Sequence, residues 1–255
     1  MITIQERAAK PALDKLGKKD FLQSFLGIEL EVEPMSIELL KPSLHLIEKS
    51  LGSFVIVKIE AGLEHGFEIC SKPATLDYHK DAWGKFFESA PNLMRNFTFV
   101  NGVPADHCGM HVHINREGLS NLQIGKIVAF IHAEENRAFV TKIAERESNE
   151  FCDFIHPEKF NAALYDNILK AGKKTAVNLH NRATIEVRIF KTPLNLSLFL
   201  KNLEFCEALT KFATPANTSL ADSTNLKNFL TFLDENRKLY PNLVNFLKDN
   251  EHVNL

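Results

Sequence analysis

The 255-residue sequence has no paired-cysteine motif: Cys70, Cys108, Cys152 and Cys206 are scattered, with no CxxC among them. Such usage suits free thiols in a reducing compartment. There is no excess of either charge. The formal net charge is -2 with a pI near 6.6, so no basic field recommends nucleic acid as a partner. No apolar run approaches membrane-spanning length, and the opening residues MITIQERAAKPALDKLGKK lack the apolar stretch of a signal peptide. A cytoplasmic protein with no membrane partner is the expectation. Repeats, low-complexity tracts and clear linkers are missing, as are a P-loop and a dinucleotide glycine fingerprint.

What is present is alternation. In FLGIELEVEP, Ile28, Leu30 and Val32 alternate with Glu29, Glu31 and Glu33, which predicts a strand with carboxylates on one face and aliphatics on the other. FVIVKIE, GFEICSK, CGMHVHIN, TAVNLHN and TIEVRIF read as further strands, with Gly62 and Gly66 at a turn and Arg182 and Ala183 near a bend. Helices are expected over about 76–90, from a Ser120 cap to about 145, over about 158–171, and over 196–212, 226–239 and 242–248. The first twenty residues suggest a short helix or a mobile arm. The whole chain, 1–255, reads as a single α+β domain: a largely antiparallel sheet with packed helices, its motif-bearing core at about 24–195 and a helical part at about 196–255.

Four strands carry residues capable of chemistry. Alternate strand residues share a face at roughly 6.5–7 Å spacing, so Glu29 and Glu31 could form a platform for a divalent cation. The plain alternative is the wet face of an antiparallel sheet. Glu60 and Glu68 bracket a glycine turn, and Glu64 lies within it; an acidic surface hairpin explains them equally well. His111 and His113 project from one face of GMHVH, suited to a metal or to phosphate and carboxylate oxygens. Glu186 and Arg188 share a face of TIEVRIF, either as a local ion pair or as a metal ligand beside a guanidinium fork for phosphate or carboxylate. Each feature alone is weak. Four such strands in one sheet would line a single site.

Taken in order, Gly27-Ile28-Glu29-Leu30-Glu31, Glu68-Ile69-Cys70-Ser71-Lys72-Pro73, Cys108-Gly109-Met110-His111-Val112-His113, Asn178 and Thr184-Ile185-Glu186-Val187-Arg188 resemble the amidoligase family. That family belongs to the carboxylate–amine ligases typified by glutamine synthetase and glutamate–cysteine ligase. The resemblance runs from about Gly27 to Asn195. It implies a glutamine-synthetase-like fold with a curved sheet whose concave face holds ATP and two or three Mg2+ (or Mn2+) ions. It implies metal binding by Glu29, Glu31, Glu68, His111 and Glu186. His113 would lie near nucleotide phosphates or a substrate carboxylate, Arg188 would stabilise the transferring phosphoryl group, and Asn178 would contribute to the nucleotide site. Where these ligases often carry an Asp-Gly-Ser-like stretch, this chain has Glu60-Ala61-Gly62-Leu63, so Glu60 would replace the aspartate. The implied reaction joins a small-molecule or peptide carboxylate to an amine through an acyl phosphate.

Two other readings stay open at this level. His111-x-His113 followed by Glu117 fits a cupin-like site for iron, manganese or zinc, although a helix rather than further strands is expected after Ser120. A non-catalytic binding protein on the ligase fold is the other. Arg146 and Arg182 are candidate anion contacts or structural arginines, and the loops at 96–107 and 148–157 are candidates for specificity. Substrate identity and oligomeric state have no sequence signature here.

Overall fold

The alternating segments become a two-faced sheet. The computed structural model describes residues 24–59, 63, 66–89, 99–100, 103–104, 108–147, 152–155, 170, 172–193, 195–215 and 219–250. Within it, β1 (Leu26–Val32), β2 (Val55–Ile59), β3 (Phe67–Ser71), β6 (Gly109–Asn115), β7 (Val177–Asn178) and β8 (Thr184–Lys191) form one six-stranded sheet in the order β2-β3-β1-β6-β8-β7. Every pairing is antiparallel, and the sheet is not closed. A separate two-stranded ladder, β4 (Phe99–Val100) with β5 (Val103–Pro104), lies in a stretch expected to be loop.

The helices are α1 (Leu40–Leu51), α2 (Leu76–Ser89), α3 (Asn121–His132), α4 (Arg137–Ala144), α5 (Leu196–Ala213), α6 (Leu220–Thr224), α7 (Leu226–Glu235) and α8 (Pro241–Asp249). The apolar side of the sheet (Ile28, Leu30, Met110, Val112, Ile185, Val187) joins the helices in one hydrophobic cluster. Trp83 packs against Phe199 with ring centroids 4.6 Å apart and planes tilted by 37°. Phe229 sits among Phe130, Phe139, Phe205 and Phe212. These rings dominate the helical layer, since aromatic side chains bury the most apolar area each.

One helix expectation changes. The helix starting at Ser120 has the expected capping box with Gln123, but it ends at His132 rather than continuing to about 145. Ala133 takes an extended conformation, and the Asn136 side chain turns back to donate to Phe130 O at 3.0 Å and Thr224 O at 2.8 Å. A side-chain amide thus satisfies a helix-end carbonyl and ties the break to α6. The expected helix at 158–171 and the N-terminal arm lie outside the described residues.

At one end of the fold a buried carboxylate docks a helix. Glu204 on α5 accepts from the Leu243 amide at 2.9 Å and from Asn242 Nδ2 at 2.8 Å, while Lys80 lies 3.3 Å away. An anion at the first turn of α8 satisfies amides the helix itself cannot.

Candidate functional site

Register decides which polar residues meet. β1 lies between β3 and β6, with Glu29 opposite Cys70 on one side and His111 on the other; Glu31 is opposite Glu68. β8 then brings Glu186 opposite His113, β7 brings Asn178 opposite Glu186, and β2 brings Lys58 opposite Glu68. Glu29, Glu31, Glu68, His111, His113, Glu186, Arg188 and Asn178 therefore share the sheet face opposite the aliphatic core. The aliphatic residues between them are buried to within 1% of complete at Ile28, Leu30, Met110, Val112, Ile185 and Val187, which fixes the polar set on the other side.

Two sets of side chains come within reach of a single ion. Ligand atoms of Glu29, Glu68 and His111 lie within 4.8 Å of one another, and so do those of Glu29, His113 and Glu186. The Glu29 Oε2 atom is 3.4 Å from His111 Nδ1 and 3.4 Å from His113 Nε2, so Glu29 belongs to both. Arg188 Nη1 contacts Glu186 Oε1 and lies 3.3 Å from His111 Nδ1. A guanidinium only donates and a carboxylate only accepts, so the tautomer of the ring decides whether His111 Nδ1 accepts from Arg188 or donates to Glu29 Oε2 at 3.4 Å. Asn178 Nδ2 donates to the other Glu186 oxygen at 2.6 Å.

Glu31 is engaged differently from its neighbours. Its Oε2 accepts from the Gly109 amide at 2.7 Å, and its Oε1 is 3.8 Å from His111 Nε2. Neither three-residue set includes it. Glu33 lies beyond the end of β1 and is buried. Glu60 and Glu64 lie outside the described residues. Glu117 is exposed in the turn after β6 and belongs to neither set, and the strand is followed by α3. The three-residue cupin-like constellation is therefore not assembled among the described residues.

Charge on this face is unevenly compensated. Burial tends to raise the Glu29 carboxyl, but the adjacent His111 and His113 rings outweigh it and hold Glu29 well below the usual carboxylate range. Glu68 goes the other way: burial and then the neighbouring Glu29 charge push it up. His113 is opposed by burial but ends raised by Glu29 and Glu186. Cys70 is pushed up by burial and by Glu68, so it remains a thiol and donates to Glu68 Oε2 at 3.0 Å. Lys58, 3.4 Å from Glu68, is half exposed and offsets little of the negative charge.

Sequence reasoning did not anticipate Lys58, Thr184 or the role of Arg146. The pairing of β6 with β8 shifts between Met110 and Val112, so Arg188 and Ile189 together oppose His111. This is a β-bulge, one extra residue on β8. Arg146 secures it, donating through Nε to Ile189 O at 3.0 Å and through Nη2 to Arg188 O at 2.6 Å. A Cβ at position 109 would come within 3.0 Å of the Arg146 guanidinium, so glycine is what lets it approach. Arg146 is thus structural; Arg182 is exposed in the bend before β8. The signal that could have revealed the bulge is the doublet Ile189-Phe190, two apolar residues where alternation demands one.

Among the described residues no helix is long and apolar enough to cross a membrane. In comparison with known proteins, no family model matches the chain and no curated sequence matches it significantly.

Proposed function

We propose that the protein is an ATP- and Mg2+- or Mn2+-dependent ligase that joins a carboxylate to an amine. The observation that carries this reading is the register that brings Glu29, Glu68, His111, His113 and Glu186 into two overlapping three-residue sets, each able to hold a cation, with Arg188 at their edge. The donor set fits divalent ions: carboxylate oxygens with one imidazole in each set suit Mg2+ or Mn2+. Two buried nitrogens on the same face, Arg188 Nε and His113 Nε2, have no hydrogen-bond partner among the described residues. Buried polar atoms without partners are rare and call for one, such as a bound ion or anion. Both kinds of ligand would be satisfied by a metal–nucleotide complex.

In this reading Glu29, Glu68, His111 and Glu186 hold the metal ions, and Asn178 and Arg188 keep Glu186 oriented. Arg188 offers its unused donor to a phosphoryl or carboxylate oxygen. Bound ATP would supply the phosphoryl group that activates a carboxylate as an acyl phosphate with ADP as leaving group, and its ions would offset the phosphate charge. An amine attacking the acyl carbon would then expel inorganic phosphate and lose a proton. The protein's contribution is positioning and fixed charge, with no covalent nucleophile. The decisive test is ADP release with panels of amines and carboxylates, followed by mass spectrometry of the products. Amide formation stoichiometric with ADP supports the proposal. Metal binding without any nucleotide binding would overturn it in favour of a non-catalytic metal or ligand protein.

A further inference from the structure

We infer that His113 is a metal ligand, and that Thr184 is the residue that makes it one by fixing which ring nitrogen carries the proton. The inference rests on reading this sheet face as a metal platform. It departs from the resemblance, which puts His113 near phosphate or a substrate carboxylate.

His113 sits between two partners. Its Nδ1 lies 2.9 Å from Thr184 Oγ1, and its Nε2 lies 3.4 Å from Glu29 Oε2, buried and with no hydrogen bond among the described residues. A threonine hydroxyl can give or accept a hydrogen bond, so the neutral ring, the form that can bind a metal, has two arrangements. If Thr184 donates, Nε2 carries the proton and points it at Glu29 across a distance too long for a good hydrogen bond. If Thr184 accepts, Nδ1 carries the proton and Nε2 presents a lone pair beside the carboxylates of Glu29 and Glu186. The second arrangement is repulsive when the three groups stand alone and favourable when a cation lies among them. Metal-binding histidines characteristically donate their other ring N–H to an oxygen, which fixes the tautomer and the ring orientation.

The surroundings are prepared for this. The ligand atoms of Glu29, His113 and Glu186 lie within 4.8 Å of one another, and donors about 2.1 Å from one ion are at most about 4.2 Å apart. Small rotamer adjustments close the difference. Glu186 is already held by Asn178 and Arg188, and Glu29 reaches both histidines, so it can bridge this ion and the one bound by Glu68 and His111. An imidazole with two carboxylates favours Mn2+ over Mg2+ at this position. Thr184 is therefore a positioning residue. It touches neither ion nor substrate, yet it decides whether Nε2 is a ligand.

The test is Mn2+ binding by the full chain without nucleotide, followed by calorimetry and by the electron paramagnetic resonance signal of free Mn2+. Wild type is expected to bind two ions. His113→Gln should lose one, and Thr184→Val should weaken the same class by about 10–100-fold, the usual penalty for removing an outer partner of a metal-binding histidine. Thr184→Ser, which keeps the hydroxyl, should restore it. In the Zn2+-loaded wild type, nitrogen NMR of the His113 ring should show Nδ1 protonated and Nε2 metal-bound. Unchanged Mn2+ binding by both His113→Gln and Thr184→Val overturns the inference while leaving the platform standing. Absence of metal binding by wild type overturns both. Because no nucleotide or substrate is present, failure of the ligase reading is measured separately, by ADP release.

Discussion

Replacing Glu68 with glutamine isolates the electrostatic cost of assembling this site. Glu68 is 8% exposed and its ligand oxygen lies within 4.8 Å of that of Glu29. Two like charges at that distance repel by about 3 kcal/mol at an effective dielectric constant of about 20. Lys58 attracts Glu68 from 3.4 Å, but its side chain is 53% exposed, so its compensation is discounted to less than about 1 kcal/mol. Glutamine keeps the shape and an acceptor for the Cys70 thiol. Without metal, Glu68→Gln should therefore stabilise the protein by about 1–2 kcal/mol, once imperfect relief and screening are allowed for.

The sign with pH follows from the raised Glu68 carboxyl. The folded protein holds its proton at pH values where the unfolded chain, titrating near 4.5, has released it. That contribution to stability is complete below about pH 4.5 and is lost as pH rises through the folded value. The advantage of Glu68→Gln should thus widen from pH 4.5 upward. Saturating Mn2+ should reverse the order. Wild type gains about 2.7 kcal/mol at a metal concentration a hundredfold above Kd, and the variant gains less. Urea unfolding followed by fluorescence of Trp83, the one tryptophan and fully buried, reads both states. A variant less stable than wild type in EDTA at pH 8, or stabilised equally by Mn2+, would refute the reasoning.

Arg188→Lys keeps a positive charge for Glu186 but removes the planar fork, so the fold should persist while ADP release falls at least a hundredfold; activity within threefold of wild type would remove Arg188 from the mechanism. His79 is buried with Nε2 2.8 Å from Leu26 O, and burial pushes it down to about 4 from 6.5. The unfolded chain takes up this proton first, so stability present above pH 6.5 is lost as pH falls toward 4, by about 3 kcal/mol. The stability gap between wild type and His79→Gln should shrink accordingly on acidification, and a constant gap would contradict the assignment. Phe229→Ala removes the ring that lies 4.9 Å from Phe130 and 5.3 Å from Phe212, and should cost about 3–5 kcal/mol in urea unfolding; a loss under 1 kcal/mol would mean the cluster collapses around the gap.

The strands were legible because their two faces differ so sharply in polarity. Glu29 and Glu31 alternate with Ile28 and Leu30, and His111 and His113 alternate with Met110 and Val112, so strand identity and sidedness follow from period two alone. Strand order was not legible. Nothing local states that β1 lies between β3 and β6, yet that placement is what brings Glu29 to both histidines. The helix α1 was missed because Pro42 near its start disguises a segment whose buried positions are only Ser43, Ile47 and Leu51. The break after His132 was missed because it depends on Asn136 reaching Thr224, a contact 88 residues apart. Long-range side-chain contacts of that kind leave no periodicity to read.

The bulge shows how a core requirement shapes the polar face. With the register of His113 opposite Glu186 continued regularly, Phe190 would fall opposite Gly109, on the side of the carboxylates. The extra residue instead pairs Phe190 with Met110, in the core, and Lys191 with Gly109. Ile189 and Phe190 are then both buried, at 1% and 0% exposure, while Arg188 stays on the polar face against His111 and Glu186. Interrupting the ladder frees the carbonyls of Arg188 and Ile189, and buried carbonyls need donors. Arg146 supplies them, and a glycine at 109 makes room for it. The same Gly109 amide donates to Glu31. One local irregularity thus links core packing, the orientation of Arg188 and the fixing of Glu31, so substitutions at Arg146 or Gly109 act on the site without touching any ligand.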